Sequence, residues 1–328
     1  MFAWWREVRL LRLGISLVGR GSAMAGNVGV RGVSIVASLA VFAVGCGHKD
    51  TAATQSSPTT ASTASEVVFP TPTETDVNKN GIPDSEPTDK DWPGKMNVVY
   101  EDATTPEAIR GRKFMEENNL LPQLADDINS TLKLPFDIPL KGSQCGVAND
   151  WWSPGDKAMT MCYEDVAENL DMFQEAGFPD PTSATFHTAV AVNYHETGHM
   201  VIDIYDLPAT GREEDVADQA SVYLLLRPGD DGKIDQDSID AIKDAAASWK
   251  LLSDKSNGEV TPDDLADVHS PSLARMDNIL CWAYGADPAA MSDVVADGRL
   301  PQQRADGCDD EYQKLDHAWS TLLKPYLK

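Results

Sequence analysis

In this chain the residues best spaced for chemistry are the two histidines and the glutamate of His195-Glu196-Thr197-Gly198-His199. Four helical steps turn the chain by about 400°, so two imidazoles four apart share one face and can grip one cation. Glu196 then points off that face, towards the water such a cation activates, where it can serve as a general base. A catalytic zinc needs a third protein ligand and an open position. The segment Gly211-Arg212-Glu213-Glu214-Asp215-Val216-Ala217-Asp218 offers it. A turn through Leu207-Pro208-Ala209 lets a second helix return antiparallel, with Glu214 in its first turn facing the histidines. Asp218, one turn further on the same face, suits a carboxylate that holds a ligand imidazole by its other nitrogen. Glu213 is the rival ligand, but only Glu214 stands four residues before Asp218. An acidic helix start also has a plain electrostatic use, complementing the helix dipole.

The elements that must position these groups follow from pattern. Residues 96–100, 134–140 and 159–163 read as strands, the last two flanking a loop at 149–156 in a hairpin-like unit. Helical spacing is expected over 105–119, 164–177, 185–205, 212–226, 235–250, 271–285, 287–297 and 309–325. A small N-terminal antiparallel sheet followed by a mainly helical body is an α+β class. Trp151 and Trp152 fall in the loop and read as a cap on the core. His187 reads as packing, and His317 has no motif around it.

Outside the body, residues 1–45 read as a lipoprotein signal peptide. An apolar run, Val33 to Val44, follows Arg31 and ends at Gly45-Cys46, and it is too short to span a bilayer. Cys46 would carry the lipid, placing the protein outside the cytoplasmic membrane and attached only by that anchor. Residues 46–94 read as a Ser/Thr/Pro tether. Within it Asp76, Asn78, Asn80 and Asp84, with Gly81 at the sixth place, resemble a calcium loop that has Pro87 where the twelfth-position Glu belongs. Residues 95–328 form the folded domain. The four cysteines besides Cys46 allow three pairings in an oxidising compartment. Cys145–Cys162 and Cys281–Cys308 each bracket one local unit. A four-cysteine zinc site is disfavoured because no CxxC pair is present. The formal net charge is −25, and residues 1–45 hold five Arg and one Glu, so the remainder is more acidic still. Such a body repels phosphate backbones, which excludes nucleic acid as a partner.

HExxH, a downstream Glu, and Asp four residues later resemble the gluzincin metallopeptidases. The metzincin pattern fails, since Ile202 and Tyr205 stand where its Gly and His belong. A longer likeness runs through Cys145-Gly146, Met161-Cys162-Tyr163-Glu164, the two zinc segments, His269-Ser270, Arg275, Leu280-Cys281-Trp282-Ala283-Tyr284-Gly285 and Gly307-Cys308. It is similar to a bacterial family of unknown function classed with the metallopeptidases, over roughly residues 95–328. The resemblance implies a zincin-like body that hydrolyses peptide bonds of a peptide or protein substrate. His195, His199 and Glu214 would be the zinc ligands and Glu196 the base. It also implies a donor to the developing oxyanion: His269, which heads a helix, and less directly Arg275 or Tyr284. Two other readings share these residues: a non-catalytic zinc-bearing lipoprotein that binds a partner, and hydrolysis of a cell-wall amide. Glu196 favours catalysis, because a purely structural zinc has no use for it.

Overall fold

The computed structural model describes residues 92–229 and 231–328. The signal peptide, Cys46, most of the tether and the calcium-like loop of Asp76, Asn78, Asn80 and Asp84 lie outside them. The body opens with strand β1 (Met96–Tyr100), then helices α1 (Pro106–Glu117) and α2 (Leu120–Thr131). Strands β2 (Ile138–Ser143), β3 (Asp150–Ser153) and β4 (Ala158–Cys162) follow. The chain then turns helical: α3 (Tyr163–Glu175), α4 (Pro181–Ile204), α5 (Glu213–Leu225), α6 (Gln236–Lys255), the short α7 (Pro262–Ala266) and α8 (Ser272–Ala286). It closes with α9 (Ser292–Ala296), α10 (Gln302–Ala305) and α11 (Cys308–Leu323). No described helix is long and apolar enough to cross a membrane.

The class is α+β, but the sheet is mixed rather than antiparallel. Its order is β1-β2-β4-β3. β1 and β2 are parallel, as are β2 and β4, while β3 and β4 are antiparallel. Between β1 and β2 the chain crosses over through α1 and α2, a connection that parallel strands require. The tight turn lies at Pro154 to Lys157, where Lys157 takes a left-handed φ of 50°. The segment read as a loop therefore contributes β3, which takes the hairpin place beside β4 and leaves β2 to run alongside β4. Cys145 and Cys162 consequently sit at the same end of two parallel strands, with Ser143 in register with Cys162. They are bonded to each other, as are Cys281 and Cys308.

Helix α4 is the axis of the molecule's interior. Asp180 caps it by accepting the Ser183 N–H, and Pro181 opens its first turn. Sixteen of its 24 residues are buried, so it has no solvent stripe of ordinary width. One flank packs on the sheet, where Asn193 meets the Met159 and Met161 sulfurs. Another meets α6, where His187 Nδ1 lies 2.7 Å from Asp244. A third meets α5. There Gly198 lets the helices approach so closely that a Cβ would stand 2.8 Å from Ala217 Cα.

Candidate metal centre

That close approach sets the site. Helix α4 presents His195 and His199 from successive turns. The chain leaves α4 through a turn at Asp206 and Gly211, both with positive φ, and re-enters as α5 with Glu213, Glu214 and Asp215 in its first turn. Three donor atoms then converge. His195 Nε2 and His199 Nε2 are 3.3 Å apart, and each is 3.2 Å from Glu214 Oε2. A tetrahedral ion with bonds of about 2.0–2.1 Å spaces its ligand atoms by about 3.3–3.4 Å, so the three sides match one face of such a shell. The set also passes a charge test. His195 Nδ1 is 2.8 Å from Asp218 Oδ1, and His199 Nδ1 is 2.9 Å from Glu213 Oε1. Each carboxylate holds the proton on Nδ1 and leaves a lone pair on Nε2. Two lone pairs and a carboxylate oxygen at this separation suit a cation held between them.

The electrostatics of the ion-free protein agree. Burial depresses both ligand imidazoles, but the surrounding carboxylates outweigh it. Glu214 and Glu213 carry His199 up to about 9. His195 is raised by Asp218 and Glu214. Burial acts to raise Glu214, but the hydrogen bonds from His195, His199 and His269 hold it far below the usual carboxylate range. Protons thus take the position for which a divalent ion competes.

Glu196 stands beside this cluster. Its Oε2 accepts the main-chain N–H of Trp152 at 2.9 Å, and its Oε1 is 3.9 Å from His195 Nε2. Burial raises its carboxyl, against the pull of His195 and His199. The edge strand β3 therefore supplies the contact that orients this group. Trp152 is clamped in turn: its indole Nε1–H donates to Asp203, which also receives Lys157. Trp152 is buried whereas Trp151 faces solvent, so the cap reading holds for one of the pair.

Behind the ligands, Arg275 forks onto Asp218, with Nε to Oδ2 at 2.9 Å and Nη2 to Oδ1 at 2.7 Å. It stacks on Trp249 at 4.4 Å. Its Nε and Nη2 are thus engaged by Asp218, and Nη2 also lies 3.4 Å from His195 Nδ1. Tyr284 lies nine residues further along α8, about 13.5 Å of helix rise, and packs against the core. His269 does reach the site. Its Nε2 is 3.0 Å from Glu214 Oε2 and its Nδ1 is 2.9 Å from Asp267. Glu214 first, then Asp267, hold its pKa up against burial. Glu213, the rival ligand, serves the outer nitrogen of His199. Neither the Trp152 amide nor Trp249 has a sequence motif, because one is main chain and the other is brought in by tertiary packing.

A buried carboxylate thus stands beside a His-His-Glu donor set that could hold a metal ion, on an α+β body. The chain belongs to the family described as "Putative metallopeptidase", whose model matches residues 100–323. The match spans every residue of the cluster, and membership implies a metal. No curated protein and no solved structure matches the chain.

Proposed function

We propose that this protein is a zinc-dependent peptidase of gluzincin type, anchored by lipid on Cys46 outside the cytoplasmic membrane. The observation that carries the reading is the convergence of His195 Nε2, His199 Nε2 and Glu214 Oε2 next to a buried, oriented Glu196. When bound there, zinc would act as a Lewis acid, polarising a carbonyl and lowering the pKa of water to about 7. The chain's own residues do the rest. Asp218 and Glu213 fix the ligand tautomers. Arg275 offsets the charge of Asp218. Glu196 has one oxygen tied to the Trp152 amide, which leaves Oε1 free to take a proton from water and return it to the leaving amine. His269 Nε2 lies 3.0 Å from Glu214 Oε2, and with that carboxylate given to a metal its N–H would be the donor turned to an oxyanion at this edge of the site. The two disulfides fit an oxidising compartment, which supports the extracytoplasmic placement.

The experiment is metal analysis with the Glu196→Gln variant. We expect about one zinc per chain in both proteins. Peptide hydrolysis should fall by at least 100-fold in the variant, the scale of a lost general base. A variant that still cleaves peptides at the wild-type rate ends the catalytic assignment. The Cys46→Ala protein should move from the membrane to the soluble fraction.

A further inference from the structure

Residues 256–271, which join α6 to α8, lie against the first turn of α5. Asn257 and Gly258 turn the chain with φ of 55° and 70°. Thr261 and Asp264 close a capping box on α7, which buries none of its residues. Polar groups fasten this segment to the metal centre. Arg212 Nη2 donates to the Leu265 carbonyl at 3.5 Å and Nη1 to the His269 carbonyl at 3.3 Å. Ser270 donates to Asp215 at 2.7 Å, and His269 reaches Glu214.

The strap is exposed along 256–269, where the acids Glu259, Asp263, Asp264 and Asp267 alternate with apolar side chains. Leu265 is 61% exposed, Val268 64% and Val260 48%. With Leu252 on the end of α6, they make up four of the eight large exposed hydrophobics among the described residues, all within seventeen consecutive positions. Single exposed apolar side chains need no explanation, but four on one stretch of chain beside the donor set invite one. Its position is informative too. Val268 immediately precedes His269, whose ring touches the Glu214 carboxylate. An extended peptide advances about 3.3 Å per residue, so substrate side chains within about three residues of the scissile bond come within reach.

We propose that residues 256–271 are the specificity strap of this site, with Leu265 and Val268 receiving an apolar side chain of the substrate within about three residues of the cleaved bond. The inference rests on the peptidase reading and adds the class of peptide that it takes. It is tested with the zinc-loaded full chain on a peptide library, and with the Leu265→Asp, Val268→Asp double variant. Both side chains are exposed, so the variant should melt with the wild type. Cleavage sites should be enriched in Leu, Ile, Val, Met or Phe at one of those positions. The ratio of kcat/KM for a Leu-containing peptide to its Ser counterpart should fall at least tenfold in the double variant, the scale of one aliphatic burial. The Leu265→Met, Val268→Ile pair should keep the ratio. A second arm measures binding of a fluorescent Leu peptide to zinc-loaded Glu196→Gln protein, with and without the two Asp substitutions, and expects the same tenfold loss.

Cleavage without apolar preference, or an unchanged ratio, overturns the strap and leaves the peptidase intact. Absence of hydrolysis with binding that the Asp substitutions abolish overturns the peptidase and keeps the strap as a peptide-binding surface. A concentration-dependent dimer that the substitutions dissolve, with the ratio unchanged, assigns the patch to a second copy of the chain and also overturns the proposal.

Discussion

His195 illustrates how much one side chain depends on groups that never touch the metal. Asp218 grips its Nδ1, and Arg275 grips Asp218 with two hydrogen bonds. Replacing Asp218 by Asn leaves the shape but removes the charge that fixes the tautomer. We expect metal affinity to fall roughly 10- to 100-fold, measured by competition with a chromophoric chelator. An unchanged affinity assigns Asp218 to packing. Protonation gives an independent reading. In the metal-free protein His199 titrates near 9, above the ordinary value of about 6.5. A raised folded pKa contributes stability that is complete below about 6.5 and lost as pH climbs through about 9. Chelator-treated protein should therefore melt progressively lower across that interval. The zinc-loaded protein should not follow this decline, because its imidazoles no longer hold those protons. A flat profile for the chelated protein removes His199 as the titrating group.

Helices α4 and α5 act as one unit because their backbones meet at Gly198. A Cβ there would lie 2.8 Å from Ala217 Cα and 3.0 Å from Ala217 O, atoms that cannot swing aside. Gly198→Ala must push α5 away, and Glu214 goes with it. We expect stability to fall by about 1–3 kcal/mol, as overpacking does, together with weaker zinc binding in the same titration. Retained affinity would show that the helices can slide without opening the donor set. Much of this unit is legible in the sequence. The HExxH spacing puts two imidazoles on one face, and the Glu214–Asp218 interval selects one carboxylate of a run of three acids. The sheet is less legible. Asp150 to Ser153 is too short and too polar at its ends to announce a strand, and strand direction depends on connections rather than on composition. Helix α2 escapes the pattern because Asn118-Asn119 and Pro122 resemble a stop signal. Instead Asn119 turns the chain with a left-handed φ of 53°, and Pro122 falls in the first turn of the new helix, where proline costs no hydrogen bond. Arg275 belongs to the site through its bonds to Asp218, which the sequence does not foretell, since spacing alone does not tell which face of α8 turns towards α5.

At the scale of the whole molecule, two disulfides tie distant parts of the chain. Cys145–Cys162 closes a span of 17 residues that contains β3, and Cys281–Cys308 closes one of 27 that joins α8 to α11. Each is expected to contribute about 3 kcal/mol by restricting the unfolded chain. Reduction should lower the melting temperature measurably even with zinc bound, because neither bridge shares an atom with the donor set. An unshifted melt under reducing conditions would mean that the bridges are dispensable for the fold.

The hydrogen bond from Trp152 to Glu196 also bears on tolerance to change. The base is fastened by a main-chain amide that every amino acid except proline provides. Selection on position 152 therefore falls on the buried indole and its bond to Asp203, which hold the strand in place, and not on the group that meets the carboxylate.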